Sequence, residues 1–312
     1  MKLNGVFLDR ASLGDDIELN PLTDLAINWT FYSHTCPEET LERCLDMDVV
    51  ISNKVILDQT ILEQLPRLKH IAVAATGTNN VDKECAKKLD IQVSNVVNYA
   101  SSSVAQLVFS LILELVNHTT KYAQLVQQGK WSESRTFCLL DFPIMELAGK
   151  TMGLIGYGSL AKSVEHLAKA FGMRVLIAEH KGAAEIREGR TAFDRVLKES
   201  DIVSLHCPLN QETENLIGAA EFALMKPSAI LINTARGGII SEQDLVNALA
   251  TNTIAGAAID VLTQEPPSQE QILLNTQLDN LIVTPHIAWA SQEARLRLIT
   301  QLAQNIKNSL KI

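Results

Sequence analysis

Two doubly wound, parallel-sheet α/β domains are the fold that the sequence predicts, and three observations carry that expectation. Short β-rich runs alternate with longer helical stretches along the whole chain, the pattern of parallel sheets covered by helices on both faces. The alternation falls into two series, and 312 residues exceed the size at which a single core stays simple. A glycine-rich turn heads the second series, between a strand and a helix.

In the first series the expected strands are 6–9, 27–32, 49–51, 70–74 and 92–96, with helix-like stretches at 37–45 and 57–64 between them. A long helical segment, 101–128, separates the two series. The second series places strands at 151–155, 174–178, 202–205, 229–233, 255–260 and 281–284, six in all, the number in a complete sheet built from two mononucleotide-binding halves. The stretch 263–271, with Pro266-Pro267, is irregular. The amphipathic segment 291–310 is too short to form a domain, so it is expected to return to the first sheet. The first domain is then discontinuous, 1–98 with 287–312, around a second domain at 99–286.

The chain is 46% apolar and 20% charged, with mean hydropathy +0.08, the balance of a globular protein rather than a disordered chain or a rod. Thirty-six acids against 27 bases give a formal charge of -9, which repels phosphate backbones and argues against a nucleic-acid partner. The most apolar helical stretch, 104–116, carries Gln106, Ser110 and Glu114 and falls short of the ~20 residues that span a bilayer, so no membrane partner is expected. Residues Met1 to Gly5 show no signal-peptide pattern. The five cysteines, Cys36, Cys44, Cys85, Cys138 and Cys207, are widely spaced without a C-x-x-C, which suits free thiols in a cytoplasmic protein; no metal is expected.

The glycine-rich turn is Gly156-Tyr157-Gly158-Ser159-Leu160-Ala161. Its first glycine permits the tight turn, its second lets a pyrophosphate approach the backbone, and Ala161 is small enough for close helix–strand packing. Amides at the helix start would bind the pyrophosphate. The next strand ends in Glu179, 23 residues after Gly156, near the spacing of an acid that accepts hydrogen bonds from ribose hydroxyls and repels a 2′-phosphate. The reading is a Rossmann domain that takes NAD(H) in preference to NADP(H). Glu179 could instead be a solvated strand-end residue beside His180 and Lys181.

Three further features follow strands of the second series: Asn233-Thr234-Ala235-Arg236-Gly237, the run from Asp260 to Pro266 that includes Glu265, and Thr284-Pro285-His286. Carboxyl ends of parallel strands share one edge, where ligands bind. There Arg236 can hold a carboxylate or oxo group with two donors. His286 can donate a proton as hydride arrives at C2 of a 2-oxo acid, and Glu265 can hold the imidazole and stabilise its charged form. Singly, each has a bland reading, as a surface charge or a satisfied structural residue. Together behind a cofactor turn they point to a site.

At these residues the sequence resembles the D-2-hydroxyacid dehydrogenase family over essentially its whole length. The resemblance implies a flavodoxin-like substrate domain beside the Rossmann domain, a catalytic Arg236, Glu265 and His286, and an Asp260 that positions the nicotinamide carboxamide. It also assigns Ala75 through Asp82 to the loop whose amides bind the substrate carboxylate, with Thr76, Gly77 and Thr78 as the substrate contacts; Asp82 itself reads as the cap of the following helix. Tyr157, Ser159, Leu160, Thr234 and Ala235 line the cofactor site. Cys207 and Pro208 are expected to line the adenine pocket, which would leave His206 structural. Trp131, Phe137 through Ile144, and His286 through Ser291 resemble the glycerate dehydrogenases (hydroxypyruvate reductases) within the family. Departures are Ala161 for a third glycine, Glu179 for a more frequent Asp, and Gln106 where Val-Ala-Glu is widespread; the role of Gln106 is open. Trp289 either walls the substrate pocket or packs in the core.

The resemblance implies NAD-dependent reduction of hydroxypyruvate or glyoxylate to D-glycerate or glycolate by a homodimer, with 101–128 and its flanking loop as the interface. Two alternatives stay open, a dehydrogenase for another D-2-hydroxy acid and an NADH-sensing binding protein of the corepressor type.

Overall fold

Runs such as Val49-Val50-Ile51 and Ile230-Leu231-Ile232 are apolar at every position, not at alternate ones, so a strand made from them must be covered on both faces. The computed structural model, which describes residues 2–312, shows both runs buried throughout. Its chain forms two units, Met1–Ala100 with Ala290–Ile312, and Ser101–Trp289.

The first unit holds strands β1 (Leu3–Phe7), β2 (Ile27–Phe31), β3 (Val49–Ser52), β4 (His70–Val73) and β5 (Gln92–Asn95). Its helices are α1 (Asn20–Thr23), α2 (Pro37–Cys44), α3 (Gln59–Leu62) and α4 (Lys83–Lys88). The sheet is parallel, in the spatial order β2-β1-β3-β4-β5, the flavodoxin-like winding. Asp58 and Asp82 cap α3 and α4 by accepting from the Ile61 and Cys85 amides, each cap being worth about 1 kcal/mol.

The second unit holds α5 (Ser101–Asn117), α6 (Thr119–Gln127), β6 (Thr151–Ile155), α7 (Ser159–Ala170), β7 (Arg174–Ile177), α8 (Phe193–Glu199) and β8 (Ile202–Leu205). It continues through α9 (Ala219–Phe222), β9 (Ile230–Asn233), α10 (Glu242–Ala250), β10 (Gly256–Ile259), α11 (Ile272–Asn275) and β11 (Leu281–Val283). The last helix, α12 (Gln292–Leu310), lies on the first sheet. Its Leu298, Ile299, Leu302 and Ile306 are fully buried, its Asn305 donates to Asn95 O (3.0 Å), and its Arg295 makes a two-pronged pair with Asp16.

Three departures from the sequence expectations have local causes. The first strand runs over Leu3–Phe7 instead of 6–9, because the chain leaves the sheet at Leu8 so that the Asp9 carboxylate can accept from the Asn53 and Lys54 amides. The segment 101–128 breaks at His118, which is left-handed (φ +53°). The Glu114 carboxylate there bonds the Thr119 hydroxyl and the Thr120 amide, a side-chain alternative to continuing the helix. The stretch 57–64 contracts to the single turn of α3.

The second sheet is also parallel, in the order β11-β10-β9-β8-β6-β7. Numbered from its own first strand this is 2-1-3-4-5-6, so among the described residues no strand lies outside β7, where two complete mononucleotide halves would have one. Residues 180–191 take its place and touch the edge by one bridge, Ala178 to Thr191. The order reverses between β6 and β8, and that reversal fixes where a ligand crevice opens.

Candidate active site

Register builds the site. Ile155 lies opposite Leu205, Leu205 opposite Asn233, Asn233 opposite Ile259, and Ile259 opposite Val283. The residues that follow, Gly156, His206, Thr234, Asp260 and Thr284, therefore stand in a row at the carboxyl edge of the second sheet.

At the reversal point Gly156 has φ +86°, and a Cβ there would lie 2.5 Å from the Cys207 amide nitrogen and 2.6 Å from the His206 carbonyl carbon. Only glycine fits where the ends of β6 and β8 pass this closely. Gly158 differs, since a Cβ there would meet no protein atom within 4 Å. It is exposed, it precedes α7, and no side chain caps that helix, so the amides at the start of α7 face open space. Ala161, one turn in, is fully buried against the sheet. Thr234, buried at 7% exposure, keeps a hydroxyl with no hydrogen-bond partner. An uncapped helix start, an open glycine and an orphaned hydroxyl on one edge fit a phosphate-bearing dinucleotide.

Tyr157 turns away from that opening: its hydroxyl donates to Glu165, and the Arg190 guanidinium lies 5.1 Å from its ring centre. His206 pairs with the Ser204 hydroxyl (Nε2 to Oγ, 2.9 Å), and burial lowers its pKa to about 4, so its imidazole is neutral. Burial also pushes the Cys207 thiol up to about 11, which keeps it protonated and unreactive. Pro208 beside it is exposed, as are Ser159 and Gln106.

The turn after β9 is shaped by Asn233, whose role the sequence did not reveal. Its side chain accepts from the Ala235 amide (3.0 Å) and donates to Arg236 O (2.9 Å), which closes the turn and turns Arg236 outward. Gly237 follows because a Cβ there would lie 1.9 Å from Leu262 O. The Arg236 guanidinium bonds its own chain once, from Nη1 to Ala235 O (2.6 Å), and its remaining donors stay available.

His286 and Glu265 meet at 2.6 Å, Nδ1 to Oε2, while the other Glu265 oxygen accepts from the Leu262 amide (2.9 Å). With Nδ1–H given to the carboxylate, Nε2 is the nitrogen left for a ligand. His286 is itself left-handed (φ +54°), a conformation that needs outside support. Asp260 provides it. Fully buried, its carboxylate accepts from the Thr284 hydroxyl (2.6 Å) and from the Ile287 and Ala288 amides (2.9 and 2.8 Å), and the His286 amide donates to Asp260 O (2.8 Å). Desolvation raises the Asp260 pKa against the lowering effect of those bonds. The resemblance implies a carboxamide contact at this position; the structure shows that the same carboxylate anchors the 284–288 turn, with three of about four acceptor positions used and one left.

Glu179 departs further from expectation. It is 4% exposed, and its carboxylate accepts from Arg187 Nε (2.6 Å) and Nη2 and from the His180 and Arg187 amides (2.8 and 3.3 Å). The Arg187 guanidinium, more than any other neighbour, holds the Glu179 pKa down to about 2. The acid is spent inside the protein.

In the first unit, Thr76, Gly77 and Thr78 follow β4. Thr76 Oγ1 donates to Val96 O (2.9 Å), Asn95 Nδ2 donates to Thr76 O (2.7 Å), and Thr78 O accepts from the Val81 amide (3.1 Å). The loop is thus held by residues at and just past the end of β5 and by its own turn. No group of three or more His, Cys, Asp or Glu residues among those described is arranged to hold a metal ion. No helix among them is long and apolar enough to cross a membrane.

Residues 109–288 match the NAD-binding domain of the D-isomer specific 2-hydroxyacid dehydrogenases. The chain is 44% identical to a glycerate dehydrogenase of Methylorubrum extorquens over 306 residues, covering 97% of this chain and 94% of that one. It is 39% identical to a hydroxypyruvate reductase of Blautia hydrogenotrophica, covering 89% and 87%. Among solved structures it resembles an acyclic imino acid reductase in complex with NADPH and D-arginine, with a TM-score of 0.85 at 28% identity, over 99% of this chain and 97% of that one. The second unit is accordingly an NAD-binding domain, and the chain is a dehydrogenase that belongs to the D-isomer specific 2-hydroxyacid dehydrogenase family.

Proposed function

We propose that the protein reduces a small 2-oxo acid, hydroxypyruvate or glyoxylate, to D-glycerate or glycolate with NADH. The observation that carries this reading is the 2.6 Å pair of His286 and Glu265, on the strand-end row that also bears Arg236 and the Gly156–Gly158 turn. The names of the relatives in Methylorubrum and Blautia support the substrate class.

The nicotinamide, when bound, supplies the hydride. Arg236 takes the planar carboxylate or the oxo group with its unspent donors and polarises the C2 carbonyl. His286, held by Glu265 through Nδ1, gives a proton from Nε2 to the oxygen at C2 and takes it back in the reverse direction. Asp260 acts through the 284–288 turn, keeping the His286 backbone in its left-handed conformation and so placing its imidazole. Thr76, Gly77 and Thr78 are the loop that the family resemblance assigns to the substrate carboxylate. Reduction consumes a proton, so higher pH favours oxidation of the hydroxy acid.

A homodimer is part of the same reading. Phe137 (91% exposed), Leu140 (79%) and Ile144 (56%) present apolar side chains on the segment after α6, more than a lone chain would leave in water. The free thiols fit a reducing, cytoplasmic setting.

The test is NADH absorbance with purified protein against hydroxypyruvate, glyoxylate, pyruvate and 2-oxoisocaproate. Preference for the first two is expected. Faster turnover of pyruvate or 2-oxoisocaproate would move the assignment to another D-2-hydroxy acid, and tight NADH binding without turnover of any would point to a sensing role.

A further inference from the structure

An acid at the end of the second strand excludes a 2′-phosphate only while its charge and its acceptor positions face the ligand. Glu179 meets neither condition. Four N–H groups fill the roughly four acceptor positions of its carboxylate, two from the Arg187 side chain and two from backbone amides. The Arg187 fork also cancels its charge at contact distance.

What the edge presents instead is a pair of guanidinium groups, in a loop that also exposes Glu185 and Glu188. A guanidinium has five N–H donors; Arg187 spends two on Glu179, and its side chain is 59% exposed, so three donors face solvent at the end of β7. Arg190 donates from Nη1 to Ala178 O (3.2 Å) while lying 5.1 Å from the Tyr157 ring centre. It is thereby held between the end of β7 and the Gly156–Gly158 turn. His180 is exposed beside Glu179. Lys181 is different, because its amine is taken by Glu221 at 2.8 Å. The absent outer strand is what makes this arrangement possible: residues 180–191 form a loop anchored at the Ala178–Thr191 bridge, and that loop carries both arginines to the edge.

We propose that the subsite at the end of β7 accepts the 2′-phosphate of NADP(H) as well as the 2′-hydroxyl of NAD(H), with Arg187 as the residue that sets this breadth. The proposal deepens the dehydrogenase reading, since it rests on the coenzyme site at the Gly156–Gly158 turn. Arg187 neutralises the strand-end carboxylate that would repel the phosphate and offers its remaining donors to it, with Arg190 as the second cation. NADH still fits, because the ribose hydroxyls can bond to the exposed donors of Arg187.

Its test is equilibrium binding, which needs no oxo acid and so stands apart from the identity of the substrate. NADH and NADPH are titrated by fluorescence, and 2′,5′-ADP and 5′-AMP are used as displacing probes of the ribose subsite. The expected result for wild type is NADPH affinity within about tenfold of NADH, that is, within about 1.4 kcal/mol. Arg187→Ala should weaken NADPH and 2′,5′-ADP by about tenfold or more relative to NADH and 5′-AMP. Because that variant strands a buried carboxylate, the double variant Glu179→Gln with Arg187→Ala removes the stranded charge and should show the same relative loss. Glu179→Gln alone should move the NADPH to NADH ratio by less than about threefold, since the carboxylate is already neutralised. Wild-type NADPH weaker than NADH by more than tenfold overturns the proposal. So does an unchanged ratio in the double variant, or a ratio that climbs tenfold or more in Glu179→Gln.

Discussion

The two units use the same device, a parallel sheet wound with helices on both faces, and finish its carboxyl edge in opposite ways. In the second unit side chains shape the turns so that other side chains stand free. Asn233 closes one turn and turns Arg236 outward; Asp260 and Glu265 hold His286 with Nε2 uncommitted. In the first unit polar side chains at the edge are themselves spent on backbone. Asp9 accepts from the Asn53 and Lys54 amides, Ser52 donates to Val55 O, Asn80 donates to Ser52 and Val55, and Asn95 and Thr76 tie neighbouring loops. The contrast separates chemistry from shape. Replacements on the second edge should act on turnover, and those on the first edge should act on stability and on substrate affinity.

The largest effect belongs to His286. His286→Ala should lower kcat by about 10²- to 10⁴-fold, the usual worth of a positioned proton donor, while NADH binding changes little. Its partner sharpens the comparison: Glu265→Gln keeps a hydrogen-bond acceptor near Nδ1 but loses the charge, so kcat should fall by a smaller factor and the acidic or basic limb of its pH profile should move. If His286→Ala turns over at the wild-type rate, the proton has another donor and the second edge is not where the chemistry resides.

Asp9 tests the other edge. Its carboxylate is 8% exposed, and desolvation raises its pKa despite the amide bonds it receives. Asp9→Ala leaves the Asn53 and Lys54 amides without their acceptor, at a cost of about 1–3 kcal/mol for each group that finds no water. Chemical denaturation should show that loss, and KM for the oxo acid should rise more than kcat falls. A variant with unchanged stability and reduced kcat would put chemistry on the first edge and erase the contrast.

How much of this was legible in the sequence follows the same division. The Gly156-Tyr157-Gly158 turn and the positions of Arg236, Glu265 and His286 after their strands could be read, because strand ends and glycine turns are local signals. Apolar runs buried on both faces gave the parallel sheets. The partners of charged side chains could not be read. Nothing periodic links Glu179 to Arg187 eight residues later in an irregular loop, and an acid before a cation reads the same whether it faces a ribose or its own chain. The anchoring role of Asp260 in the 284–288 turn was not legible, because burial and backbone partners are invisible in a strand-end Asp. The strand order of the second sheet was hidden for a related reason: the count of six strands was right, but a single bridge at Thr191 does not announce that an outer strand is missing.

The smallest effect concerns His70, a buried polar side chain of the first sheet away from any proposed chemistry. It opens β4 fully buried, with Nε2 on the Ser94 hydroxyl (2.7 Å) and Nδ1 without a hydrogen-bond partner. Burial lowers its pKa from 6.5 to about 4. The folded state thus holds it neutral where the unfolded chain would already take up a proton. Its contribution is intact above pH 6.5 and is lost as pH falls from 6.5 toward 4, amounting to about 1 kcal/mol between pH 7 and 5.5. His206 on the second edge shifts in the same direction. His70→Gln and His206→Gln should each flatten the fall of Tm between pH 7 and 5, and the double variant should flatten it further. A single variant that keeps the full wild-type slope would mean that its histidine is protonated in the folded chain, with the orphaned Nδ1 of His70 then requiring a partner that the structure does not give it.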